Sequence, residues 1–75
     1  MARIETLGCD QAGPDHMDWV LVETRDGQHI IYNYVQEYAL LASFNGKFRT
    51  RSDAIREAVL MADHTGVETV FVRDE

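Results

Sequence analysis

The chain has 75 residues, a formal net charge of −6 and 45% apolar residues, with seven aromatics among them. That length allows one domain, spanning 1–75, with a small core. It excludes a repeat array and a large enzyme, and the apolar share excludes a disordered chain. No run approaches the roughly 18 apolar residues of a membrane span, and Met1-Ala2-Arg3-Ile4-Glu5-Thr6 lacks the apolar stretch of a secretory leader, so the expected setting is cytoplasmic.

Ile4-Glu5-Thr6-Leu7 reads as a short strand, and Gly8 to Asp15 as a loop, because Gly8, Asp10, Gly13 and Pro14 are turn residues. Met17 to Thr24 is a strong strand in which Trp19, Leu21 and Glu23 alternate with Val20, Val22 and Thr24. Asp26-Gly27 accommodates the positive φ of a tight hairpin turn. The next strand, Gln28 to about Val35, places Ile30, Tyr32 and Tyr34 on one face and His29, Ile31, Asn33 and Val35 on the other. Residues 36–44 fit two readings. They continue as a strand, which the β-like start favours, or form a short helix stopped by Asn45-Gly46. Thr50-Arg51-Ser52-Asp53 resembles a capping box, and Ile55, Ala58, Val59 and Ala62 follow a helical stripe that Ala54 and Met61 widen. Gly66 is the expected stop, with His64 in the last turn, and Val67 to Arg73 reads as a closing strand.

The expectation is an α+β fold. A mostly antiparallel sheet of three to five strands carries one amphipathic helix, over about residues 51–64, on one face. The order is β-β-β-(β or short α)-α-β.

Charge is uneven along the chain. Residues 1–46 hold seven acids and two bases, 47–56 hold four bases and one acid, and 57–75 hold five acids and one base. An acidic body repels phosphates, which disfavours direct nucleic-acid binding, and attracts proteins with basic surfaces. The one cysteine, Cys9, allows no intramolecular disulfide, which fits a reducing compartment. An unstapled domain of this size often gains core by dimerising.

Residues Asp18-Trp19-Val20, then Asp26-Gly27, then Phe48-Arg49-Thr50-Arg51-Ser52-Asp53-Ala54-Ile55-Arg56-Glu57-Ala58, then the Val-rich closing strand, resemble small uncharacterised ββαβ domains of bacteria and phages. The resemblance covers roughly residues 18–73 and implies a fold without an activity. The chain departs from the pattern by its long stretch from Gln28 to Lys47 and by residues 1–17. In size, acidity and expected fold it is also similar in type to phage anti-CRISPR proteins.

Three groups of residues are candidates for binding. Tyr32, Tyr34 and Tyr38, with Phe44, crowd aromatic area into one stretch. Tyrosines supply anchoring area at low entropy cost, although core filling or a homodimer seam accounts for them equally. Asp15, Asp18, Glu23, Asp26 and Glu37, with Asp10, would gather if the loop 8–16 folds over the first hairpin. They would then imitate a line of phosphates, or else form an ordinary solvated face. Lys47, Arg49 and Arg51 gather near the helix start and lie on one side if that stretch is extended. They would take an anion, or simply pair with nearby acids. Cys9, Asp10, Asp15, His16 and Asp18 match no zinc or calcium spacing, and no catalytic set or cofactor motif is present, so no metal and no cofactor are expected.

The resulting reading is a non-enzymatic, acidic protein-binding module. Its most specific form is an inhibitor, of the anti-CRISPR or other anti-defence type, that blocks a basic nucleic-acid-binding surface of a host complex. The alternatives are a homodimeric structural or regulatory domain, and an anion- or nucleic-acid-binding module using the basic 47–56 segment.

Overall fold

Bulky and β-branched residues in alternation, interrupted by turn chemistry, produce five strands and one helix in a computed structural model that describes residues 2–8, 10–11, 13–14, 16–38, 40–44 and 48–74, with backbone alone for Tyr38, Leu40, Leu41, Ala42, Phe44 and Asp74. The strands are β1 (Arg3–Thr6), β2 (Trp19–Arg25), β3 (Gln28–Val35), β4 (Leu40–Phe44) and β5 (Thr69–Asp74), and helix α1 (Arg51–Thr65) precedes β5. Asp26 and Gly27 take φ of 52° and 76°, the left-handed pair that a tight hairpin requires, so β2 and β3 pair antiparallel from Arg25↔Gln28 to Trp19↔Tyr34. The ambiguous stretch uses both of its tendencies in turn. A 3-10 turn over Gln36–Tyr38 ends β3, and β4 then returns antiparallel beside it. Asn45-Gly46 lies outside the described residues.

The sheet order is β1-β5-β2-β3-β4, and the sheet is mixed rather than mostly antiparallel. Two neighbour pairs, β2·β3 and β3·β4, are antiparallel, while β5 runs parallel to both β1 and β2. The cause is the helix. β4 runs in the direction of β2, and α1 carries the chain back to the end from which β4 started. The next strand therefore points the same way as β2, as helical crossovers require. β5 then inserts between β1 and β2, joining the first strand of the chain to the hairpin.

Helix α1 begins where its capping chemistry places it. Thr50 is extended (φ −137°, ψ 162°), its Oγ1 accepts the Asp53 N–H, and Gly66 closes the helix at φ 80° with its N–H donating to the Ala62 carbonyl. The buried residues of the helix are Ala54, Ala58 and Ala62, one turn apart. Their small side chains let the helix lie close on a ridge of Val20, Val22, Ile31 and Val70, with Phe48, Ile55, Val59 and Met61 along the flanks. The Ala2 N–H donates to Asp63 Oδ1 at 2.8 Å, which ties the start of β1 to the end of the helix. Among the described residues no helix is long and apolar enough to cross a membrane.

Because the alanine stripe sets the spacing between helix and sheet, Ala58→Leu has no room. We expect it to lower stability by about 1–3 kcal/mol, read as a shifted urea midpoint with an unchanged slope. A loss as small as that of an exposed helix site such as Glu57→Ala would refute this packing.

Candidate functional site

The face of the sheet away from the helix carries a second cluster. The register sets Trp19 opposite Tyr34, and Leu21 opposite both Tyr32 and Phe71. Trp19 stacks on Tyr34 with ring centroids 4.9 Å apart and 14° between planes, and meets Phe71 edge-on at 6.2 Å. Leu7 and Met17 complete this cluster. The chain between β1 and β2 lies across part of it. Trp19 Nε1 donates to the Pro14 carbonyl at 2.6 Å, and a Cβ at Gly13 would collide with the indole ring, so glycine there permits the close approach. The described part of the loop, at Gln11, Gly13 and Pro14, thus lies against the hairpin.

What the loop leaves uncovered is a surface cleft of about 310 Å³, walled by Trp19, Leu21, Tyr32 and Gly13 and floored by charge. Glu23, Arg25 and Arg73 line it. Glu23 is only 3% exposed. Its Oε2 lies 3.3 Å from Arg73 Nη1, a hydrogen-bonded ion pair between neighbours in parallel register. Its Oε1 lies 3.1 Å from Arg25 Nη2, an ion pair without hydrogen-bond alignment. Arg73 also donates through Nη2 to the Gln11 carbonyl, so one guanidinium ties β5, β2 and the loop together. Glu23 was expected among outward acids. Instead it is a buried anchor, and the sequence carried a signal for this: it shares the alternation of Trp19 and Leu21.

The remaining candidate acids do not form one line. Asp18 is exposed, and its Oδ1 accepts the Gln36 N–H at 2.7 Å, which brings Glu37 to the same end of the sheet. Asp26 sits in the hairpin turn at the opposite end of β2, roughly 26 Å away at about 3.3 Å per residue. Asp10 is exposed, and Asp15 lies outside the described residues. Two acids join Asp18 and Glu37 that sequence reasoning missed. Asp63 and Glu68 flank the Gly66 turn where the helix returns to the sheet. Both border a shallow cleft of about 480 Å³, and Glu68 borders a second of about 320 Å³, the two sharing Gly66, Val67 and Glu68. Arg3 borders the first and His16 the second. Recognising Gly66 as a helix stop was the available clue, since it folds these two acids onto the start of β5.

Of the tyrosines, Tyr32 and Tyr34 share the aromatic face and are half-buried. Only the backbone of Tyr38 is described, within the 3-10 turn. The basic residues near the helix start sit away from Asp18, Glu37, Asp63 and Glu68, at an end that also holds Asp26 and Asp53. Arg49 and Arg51 are exposed, but Arg51 opens the helix, so the stretch is not extended through it. Arg51 is partnered within the fold. Arg56 lies 3.9 Å from Asp53, one turn along. Lys47 lies outside the described residues. Acids therefore gather at the C-terminal end of the helix, beside Arg3 and His64, while its N-terminal end carries arginines interleaved with Asp53 and Glu57. Within the helix itself, Asp53 in the first turn and His64 in the last turn complement the dipole.

Among the described residues no three His, Cys, Asp or Glu side chains group as metal ligands. Comparison with protein-family models, with curated proteins and with solved structures finds no match for the chain.

The Glu23–Arg73 pair yields a stability prediction. Glu23→Ala strands a guanidinium that is 15% exposed and should cost about 3–5 kcal/mol, a large part of the ~4–11 kcal/mol expected for a domain of this length. Replacing the pair together, Glu23→Leu with Arg73→Met, should recover most of that loss in a denaturant titration. A double variant no more stable than Glu23→Ala would show that the buried charge is not the cause.

Proposed function

We propose that this protein is a non-enzymatic binding module for a protein with a basic surface. The acidic end steers the encounter and the aromatic cleft supplies the anchorage. The observation that carries the reading is the open part of the aromatic face, where half-buried Tyr32 stands beside Trp19 and Leu21 around a cleft of about 310 Å³. Tyrosine and tryptophan in a partly desolvated hollow are the usual anchors of protein interfaces. Glu23, which lines that hollow, is held between the guanidiniums of Arg25 and Arg73.

Charge supports the same reading. The net charge is −6, and Asp18, Glu37, Asp63 and Glu68 concentrate acid at one end of the sheet and at the negative end of the helix. A basic partner is drawn to that end first, and the orientation is set before contact. In its most specific form the partner is a host complex that handles nucleic acid, and the module occupies its basic groove as an inhibitor of the anti-defence type.

Affinity capture from lysate of the protein's own host, at moderate salt, tests this. The wild type should retain a nucleic-acid-binding complex in stoichiometric amount. Tyr32→Ala should weaken that complex by roughly 30-fold, through faster dissociation, as loss of an interface anchor does. Asp18→Lys with Glu37→Lys should slow association and flatten its salt dependence. A partner held equally well by all three forms, or no retained partner, overturns the proposal.

A further inference from the structure

Strand β1 forms one edge of the sheet, and apolar area is exposed beside it. Ile4 and Leu60, 53% and 59% exposed, are the exposed large hydrophobic residues among those described. Both border one groove of about 420 Å³ between β1 and α1, with Ile55 and Val59 in its wall. The edge is short and carries two charges, Arg3 and Glu5, which discourage pairing with an arbitrary strand, but it has neither proline nor bulge, so a partner of matching charge can pair with it.

The direction of the backbone groups is fixed by β5. The Arg3 N–H donates to the Glu68 carbonyl at 2.7 Å, and the Leu7 N–H to the Val72 carbonyl at 3.0 Å. Alternate residues of a strand turn their N–H and C=O to opposite sides, so Ile4 and Thr6 turn theirs to the free edge. An antiparallel partner centred on Ile4 would exchange both hydrogen bonds with it. It would then place the residues facing Arg3 and Glu5 in the close, non-hydrogen-bonded positions, about 4.5 Å apart at Cα.

We propose that this edge is the seam of a homodimer, with the two-fold axis passing beside Ile4. The sequence Arg3-Ile4-Glu5 is self-complementary about that axis. Ile4 meets Ile4 of the second copy, Arg3 meets its Glu5, and Glu5 meets its Arg3. A two-fold axis generates this match without further requirement, whereas any other extended segment needs the same charges at the same spacing. Within one chain Arg3 Nε already lies 3.4 Å from Glu5 Oε2, so both side chains stand on the same side of the edge, ready for a four-charge ladder. The axis is perpendicular to the sheet, so both helices stay on the same side. Leu60 and Val59 of the two copies then close over the isoleucine pair. The strand is four residues long, and the contact falls at the small end of stable interfaces, so dimerisation is expected to depend on concentration. The inference is independent of the proposed function. If both hold, the dimer displays two aromatic faces side by side, which raises avidity for a repetitive partner.

Sedimentation equilibrium over a wide concentration range tests the seam, with circular dichroism confirming that each variant is folded. The wild type should associate to a dimer. Arg3→Glu alone and Glu5→Arg alone each set like charges opposite one another and should weaken self-association at least about tenfold. The exchanged double variant, Arg3→Glu with Glu5→Arg, should restore it, and so should mixing the two single variants. Leu60→Glu should weaken it through the helix flank. A wild type that remains monomeric throughout overturns the inference. So does a dimer indifferent to the single charge changes and to Leu60→Glu, since its seam then lies elsewhere.

Discussion

Strand β2 lies at the centre of the sheet, hydrogen-bonded to β3 on one side and β5 on the other, and its period of two divides the molecule. Val20 and Val22 face the helix, while Trp19, Leu21 and Glu23 face the loop and the cleft. A shift of one residue in either pairing would turn the valines outward and put a carboxylate under the alanine helix. The aromatic cleft and its ion pair are placed by that register. Tyr32 and Tyr34 stand across from Leu21 and Trp19, and Arg73 stands across from Glu23.

The two faces of this sheet are closed by different physics. On the helix side, alanines and β-branched residues pack with little room to spare, and burial of apolar area is the main stabilising contribution. On the other side, a loop with few apolar residues is held by specific contacts. These are an indole N–H to a carbonyl, a glycine against an aromatic ring, and a guanidinium reaching from β5 to the loop backbone. The second closure is incomplete, and the exposed remainder is the cleft. A small domain buries a limited share of its surface, and here the shortfall falls on one aromatic face and on the β1–α1 groove.

The polarity of charge has the same topological origin. Strands β2 and β5 start at one end of the sheet, β3 ends there, and α1 ends there too. Asp18, Glu37, Asp63 and Glu68 are far apart in the chain, yet each sits at one of these junctions. The arginines at 49 and 51 sit at the opposite junction, where the helix begins. A surface organised in this way gathers acid at one end and mixes both signs at the other, and a uniform acidic coat would not orient a partner.

Local chemistry was legible in the residues themselves. The Asp26-Gly27 hairpin, the Thr50 cap, the Gly66 stop, the face shared by Tyr32 and Tyr34, and the order of strands and helix follow from interactions within a few positions. Tertiary structure decided the rest. The insertion of β5 between β1 and β2 made the sheet mixed and buried Glu23 against an arginine 50 residues away. Composition and periodicity carry no record of which strands become neighbours after a helical crossover. An acid at an alternating position is therefore an exposed charge or a buried anchor according to the strand that arrives beside it.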